Sequence, residues 1–419
     1  MAKSKSIPDI RFSGFEQEWD KKQFDTVFDM ITNNTLSRDN LNYVCGSTQN
    51  VHYGDILTVF SEYLDACEEN LPYLNDEEVA TKYQNSTLKD GDIIIADTAE
   101  DEMVGKCVEI GNIGEKKVVA GLHTIPCRPK EKYAPKYMGY YLNSEAYHHK
   151  LLPLMQGVKV ISVSKTGIKG TEVVLSSEYE EQKKVGDFLF FIDEKIRYEE
   201  YKLDKLETYK QAMLISLFPR ENESVPAVRF SGFTEKWEKH TLDEIVRIYD
   251  GVHKTPKYQD SGVMFLSVEN IETLKSDKYI SEEAFEKDYK VAPEKGDILM
   301  TRIGDVGTTN VVESSEKIAF YVSLALLKSN GTDTYFLSNA MQSEPFKKGL
   351  RVRTLTTAIP MKINKEEIGK VEIYIPKDIK EQEKIGIYFR NMNLLIKLQK
   401  EKILKLQNIK SACMKRMFV

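Results

Sequence analysis

The chain has 419 residues, of which 41% are hydrophobic and 30% charged, and a formal net charge of −6. A single core rarely keeps growing past ~250–300 residues, so two or more domains are expected. The composition is that of a soluble globular protein. The apolar run AFYVSLALL (319–327) is half what a bilayer span needs, and MAKSKSIPDIRF at the start has no apolar stretch of the signal-peptide kind.

Cys45, Cys67, Cys107, Cys127 and Cys413 are scattered without a CxxC pair, which fits free or buried thiols in a reducing compartment. A cytoplasmic protein with no membrane partner is therefore expected. The histidines (His52, His123, His148, His149, His240, His253) never approach the cysteines at finger spacing, so no zinc site is expected. Charge is unevenly spread. Residues 1–175 hold 19 basic and 26 acidic residues, whereas 376–419 hold 11 and 4. Only the tail is basic, and charge alone gives a nucleic-acid partner no support.

Along the chain the first signal is a repeat. RFSGFEQEW (11–19) returns as RFSGFTEKW (229–237), GDIIIADTAEDEMVG (91–105) as GDILMTRIGDVG (296–307), and EYEEQKKVGDFLFFID (178–193) as DIKEQEKIGIYFRNMN (378–393). Between these, GVKVISVSKTGIKG (157–170) corresponds to GLRVRTLTTAIPMKI (349–363). The Gly-Asp turns run into short β-branched or apolar segments that predict strands, as do 117–127, 317–328 and 371–376. Short helices such as 135–151 intervene. Each copy thus reads as a mixed α+β globule.

Each copy closes on a long helix. Leu189, Ile192, Ile196, Glu199, Leu203, Leu206, Lys210, Met213 and Leu217 alternate at spacings of three and four. The same pattern recurs at Phe389, Met392, Ile396, Gln399, Ile403, Leu406, Lys410, Cys413 and Met417. This is the a/d seam of a coiled coil, with polar breaks at matching places, Glu199/Gln399 and Lys210/Lys410. Equal length and matched breaks predict that the two helices pair with each other. The expected organisation is a first globule over 1–175, a long helix within 176–220, a second globule over 221–375 and a second long helix within 376–419.

The usual catalytic constellations are missing: no phosphate loop, no strand-borne GxGxxG, no HExxH, no GxSxG. Asp97, Glu100 and Asp101 read as a solvated loop and Asp305 as a turn-former. No catalytic residue, metal or cofactor is expected on this chain. A coiled-coil scaffold carrying two protein- or glycan-binding globules is one reading of such a chain.

The doubled order (RFSGFxxxW, a variable stretch with GVHKTPKYQDSGVMFLSVENI in the second copy, the GDILMTR turn, then EQ and a heptad helix) closely resembles the specificity subunits of type I restriction–modification systems over essentially the whole chain. That resemblance implies an α+β fold. Two mixed α/β target recognition domains would each be followed by a long helix, the helices pairing as an antiparallel coiled coil with pseudo-twofold symmetry. It implies a non-catalytic, sequence-specific DNA-binding subunit that reads a split double-stranded target. Two methyltransferase subunits and a motor/restriction subunit would be the partners, with S-adenosylmethionine, Mg and ATP bound on them. RFSGF…W would then be scaffold, seating each globule against the helices.

On this resemblance the second copy's DNA-contact candidates are His253, Lys254, Thr255, Lys257 and Tyr258, then Asn270, Thr301 and Arg302, then Arg351 and Arg353. For Lys254, Lys257, Arg302, Arg351 and Arg353, phosphate contact is expected before base contact. In the first copy Ala96 and Asp97 stand in place of Thr301 and Arg302, and the candidates are His52, Tyr53, Thr98, Lys159 and Lys165.

Overall fold

The Gly-Asp turns do start strands. Gly91 (φ +87°) and Gly296 (φ +96°) take the left-handed backbone that favours glycine, and Ile93–Ala96 and Ile298–Ile303 follow them. The structure, a computed structural model, describes residues 6–419. It divides into two units whose boundary cuts both long helices. The first runs to Glu200 and takes in Glu401–Val419, and the second is Tyr201–Lys400.

In the first unit Ile93–Ala96 is the middle strand of a five-stranded sheet ordered Phe28–Met30, Thr124–Pro129, Ile93–Ala96, Cys107–Gly111, Tyr63–Asp65. In the second, Val246–Asp250, Leu324–Ser329, Ile298–Ile303 and Asp305–Val311 form an antiparallel sheet in that order. Each unit adds a smaller sheet with one parallel pairing, Val118–Ala120 on Gln49–Val51 and Ile318–Phe320 on Met264–Leu266. Both faces of each main sheet are covered. Ile93 and Ile95 enter one apolar cluster and Ile94 and Ala96 another, while Ile298 and Met300 part from Leu299 in the same way. That two-sided burial is why these strands read as continuous apolar runs.

The long helices are Tyr179–Ser216 and Ile379–Arg416, 38 residues each, or about 57 Å of rod at 1.5 Å per residue. Within the first unit Leu189 and Ile192 share a core with Met417 and Phe418. Asp193 and Glu199 pair with Lys410 and Lys402, both at 2.7 Å. One number rises as the other falls, so the pairing is antiparallel. Within the second unit Leu214, Leu217 and Phe218 share a core with Ile385 and Phe389, and Lys400 meets Glu207 at 2.8 Å. Every expected seam position is buried or half-buried.

The matched lysine breaks are built differently. Lys410 lies between Glu62 (2.6 Å) and Asp193 (2.7 Å), and Tyr140 donates to Asp193 at 2.5 Å. Lys210 is half-buried, and burial lowers its pKa. Asn393 stands at the position equivalent to Asp193, so the paired carboxylate is replaced by an amide.

The repeated RFSGF…W is a clamp on the start of each copy's long helix. Arg229 donates Nε and Nη2 to the two carboxylate oxygens of Glu381, at 2.6 and 2.7 Å. Arg11 grips Glu181 in the same fork, and Trp19 Nε1 donates to that carboxylate at 3.0 Å. The next residue finishes the anchor. Gln182 accepts from Ala134 N (3.0 Å) and donates to Ser176 O (2.7 Å), and Gln382 does likewise with Asp333 N and Pro376 O, at 3.0 and 2.8 Å. The phenylalanines dock alongside: Phe12 on Phe188, Phe230 on Tyr388, Phe15 under Lys184 and Phe233 under Lys384. Trp19 and Phe418 contact edge to face, as do Trp237 and Phe218.

One buried carboxyl stands out in the first unit. Glu109 is 2% exposed and accepts from the backbone N–H groups of Lys136 (2.6 Å) and Gly139 (3.0 Å). Burial outweighs these bonds and pushes its pKa up to about 7.

Candidate nucleic-acid interface

In the second unit the backbone gathers several separated segments at one corner. Val252 N donates to Phe320 O (3.2 Å), Arg302 N to Ser323 O (2.9 Å), Gly304 N to Met361 O (2.8 Å) and Ile363 N to Arg302 O (3.0 Å). Val268 N joins them through Ser323 Oγ at 3.0 Å. The first unit repeats three of these bonds at the equivalent places. Asn34 N donates to Ala120 O (2.9 Å), Asp97 N to His123 O (3.1 Å) and Val163 N to Asp97 O (2.9 Å). One backbone scaffold is therefore used twice, carrying different side chains.

At the second corner the loop 253–258 is irregular backbone, and His253, Lys254, Thr255, Lys257 and Tyr258 are all exposed. Tyr258 meets the ring of Phe265 edge-on, with Lys278 Nζ 5.8 Å above it. Asn270 is half-buried and holds its own turn, accepting from Ser267 N at 2.9 Å and donating to Lys275 O at 2.9 Å.

Thr301 and Arg302, expected as DNA contacts, lie inside the turn. Thr301 is fully buried and accepts from Thr308 N at 2.9 Å. Arg302 is 8% exposed, burial lowers its pKa, and its guanidinium is ion-paired with Asp250. Both support the turn from inside. Lys365 reaches the same Asp250 at 3.5 Å from the solvent side.

The glycine-rich segments also differ from expectation. Gly349, Arg351 and Arg353 lie on the helix Glu344–Arg353, which buries Phe346 and Leu350 one turn apart. Arg351 is exposed and paired with Glu344, and Arg353 donates to Gly349 O at 3.3 Å. GVKV (157–160) is instead the loop of a hairpin closed by Gln156 and Ser162. Its structural counterpart is the hairpin closed by Leu355 and Lys362. The likeness of GVKV to GLRV is thus local and misaligns the two copies.

At the first corner His52, Tyr53, Thr98 and Lys165 come together, while Lys159 sits exposed in the hairpin loop. His52 is buried, accepts from Gly54 N at 3.1 Å, and its pKa is lowered by burial and then by Arg38. The Tyr53 ring lies 4.6 Å from His52 and meets His123 edge-on at 5.2 Å. Thr98 donates to Asp97 at 2.8 Å, and Lys165 Nζ to Asn33 Oδ1 at 3.0 Å.

Sequence reasoning missed His123, Asn33, Asp250 and Lys365. Lys365 was signalled, because it lies 200 residues after Lys165, the offset of the paired EQ segments. His123, held at a left-handed φ of +54° and 3.4 Å from Asp97, has no counterpart in the second copy, where Ser323 occupies the place.

Among the described residues no cluster of His, Cys, Asp and Glu could hold a metal ion, and no helix is long and apolar enough to cross a membrane. The corners are loops carried on sheets, the kind of position where binding residues concentrate. Residues 234–408 match the family described as Type I restriction modification DNA specificity domain. That stretch spans most of the second copy, which is thus similar to that family.

The fold of the whole chain is that of type I S subunits. It is similar to the crystal structure of the type-I restriction-modification system S subunit from M. genitalium, at 14% identity and TM-score 0.62, covering 99% of each chain. It is also similar to a chain of a type I R-M system solved for its complex assembly and conformational transition. There the identity is 17% and the TM-score 0.54, with 94% of this chain and 96% of that one covered. No curated protein matches the chain by sequence.

Proposed function

We propose that this chain is the sequence-reading subunit of a type I restriction–modification assembly and binds a bipartite DNA target, one half-site at each corner. The observation that carries the reading is the pair of equivalent corners, with one set of backbone bonds and two sets of side chains. A duplicated frame with divergent side chains is what two readers of different half-sites require. On this reading Lys254, Lys257 and Lys165 meet phosphates, and Tyr53, His123, Thr98 and Tyr258 meet bases. The acidic net charge is compatible with this, since direct readout needs a few placed side chains and basic partners can hold the duplex.

The long helices carry apolar side chains off their seam. Phe191 and Leu404 in the first unit, and Tyr201, Ile215, Ile387 and Leu395 in the second, are each more than half exposed. Exposed apolar residues repeated along two rods fit the docking of partner subunits, here two methyltransferase subunits. Those partners bring S-adenosylmethionine, and a motor subunit brings ATP and Mg. The function is cytoplasmic, since the target is cellular DNA.

Co-expression with type I methyltransferase subunits, followed by mapping of methylated adenines, tests this. A split motif that vanishes without the chain is expected. Methylation without it, or cleavage or methylation by the chain alone, would overturn the reading.

A further inference from the structure

The two hairpins beside the corners share a feature that reading half-sites through exposed loops does not require. In the first unit Gln156 and Ser162 exchange backbone bonds at 2.9 and 2.8 Å, and Ile161–Ser162 pairs with Thr98–Ala99. In the second, Leu355 N donates to Lys362 O at 2.8 Å, and Lys362 bridges Ile303. Each hairpin is thus pinned to the turn at the centre of its corner, and each carries a bare apolar residue at its tip. Val158 is 98% exposed and Ile359 100% exposed. The loop sequences, VKV and AIP, are unrelated, yet an aliphatic residue stands fully in solvent in both. The first tip is also a built turn. Gly157 has φ +120°, and a Cβ there would lie 1.9 Å from Val160 O.

Lysines lie on each hairpin and at the corner beside it: Lys159 in the first loop and Lys362 closing the second, Lys165 on Asn33 and Lys365 on Asp250. A protein-docking face would spread its apolar residues over a flat patch. Val160, Leu355 and Met361 are part-exposed on the same hairpins, but Val158 and Ile359 project furthest. A narrow aliphatic tip on a pinned hairpin with cations nearby fits a groove whose walls are phosphates and whose floor is bases. Apolar side chains used in this way unstack base steps and kink the duplex.

Resting on the reading that each corner binds a DNA half-site, we propose that Val158 and Ile359 are wedges. Each inserts an aliphatic side chain at a base step of its own half-site, while the flanking lysines hold the adjacent phosphates.

The test uses the full chain in complex with methyltransferase subunits and duplexes carrying 2-aminopurine at successive positions of the mapped target. Fluorescence should rise at one step in each half-site. Ile359→Ala should abolish the rise in one half-site only and Val158→Ala in the other. Each should weaken binding about tenfold, the equivalent of one lost apolar base contact. The salt dependence should stay unchanged, because no phosphate contact is removed.

Circular dichroism checks that the variants fold, which exposed tips make easy to satisfy. If the wild-type complex binds its split target with no fluorescence change, or the variants bind as tightly as wild type, the wedge is wrong and half-site reading stands. Loss of methyltransferase assembly with DNA affinity intact would assign the tips to a protein partner and overturn the proposal. A complex that selects no DNA sequence at all would remove both readings.

Discussion

Arg229 and Glu381 are 152 residues apart, yet they meet through two parallel hydrogen bonds of 2.6 and 2.7 Å. Their side chains are 12% and 1% exposed, so neither charge is well hydrated without the other. Arg229→Ala should destabilise the second unit by about 3–5 kcal/mol, because it strands a buried carboxylate. Replacing both, Arg229→Met with Glu381→Leu, should cost clearly less. The chain has two tryptophans, Trp19 and Trp237, one per unit. Urea unfolding followed by Trp237 in a Trp19→Phe background reads the second unit alone.

The lysine breaks should answer differently to the same substitution. Lys410→Met leaves Glu62 and Asp193 facing each other without their cation and should cost about 3 kcal/mol. Lys210→Met removes an amine whose pKa burial has lowered and should stabilise its unit. The sign in pH follows. A depressed lysine pKa means the fold binds that proton more weakly than the unfolded chain, so stability rises as pH climbs through the folded value toward 10.5. That rise should be absent in Lys210→Met.

Glu109 predicts an acid-side effect of the opposite form. Its folded pKa of about 7 lies above its ordinary 4.5, so the fold holds this proton more tightly than the unfolded chain does. Its favourable contribution is complete below pH 4.5 and is lost as pH rises to 7, a change of about 3 kcal/mol. Thermal unfolding read through Trp19 between pH 5 and 7.5 should show this slope. In Glu109→Gln the slope should be gone.

At the proposed DNA surface, Lys254→Ala and Lys257→Ala should weaken binding equally on target and non-target duplexes. Each should reduce the log–log salt slope by about 1. Arg302→Ala should act otherwise. It leaves Asp250 only Lys365, 3.5 Å away on the solvent side, and should lower the melting temperature of the second unit, an effect that calorimetry detects without DNA.

Exchange of residues 242–370 for a relative's equivalent should change one half-site and leave the other intact. The segment must reach past 362, since the hairpin 355–362 belongs to the corner. One heptad added to each helix near Leu203 and Ile403 should keep both half-sites while widening the gap. Seven residues preserve the seam phase and add roughly 10 Å of rod, about three base pairs at ~3.4 Å. Methylation maps of the two variants separate these outcomes.

The long helices, the strands after the Gly-Asp turns and the clamp were legible because each rests on periodicity or on literal repetition. What stayed hidden depends on pairing across the chain. Arg302 follows Thr301 in a motif that invites a contact role, and only Asp250, on another strand, shows that the charge is satisfied inside. GVKV and GLRV resemble each other letter by letter, yet buried Phe346 and Leu350 draw the second into a helix. His123 carries no local signal, and only the fold sets it against Asp97 and Tyr53.

Phe418 packs on Trp19, Tyr137 and Tyr141, so the core around the first tryptophan closes with residues from the other end of the chain. A ribosome adding about 5–20 residues per second needs tens of seconds to travel from Tyr141 to Phe418. During that interval the nascent first globule carries an open aromatic socket. Messages interrupted before codon 401 would yield a globule with that socket permanently bare, a hydrophobic mark of the kind that quality-control chaperones and proteases recognise.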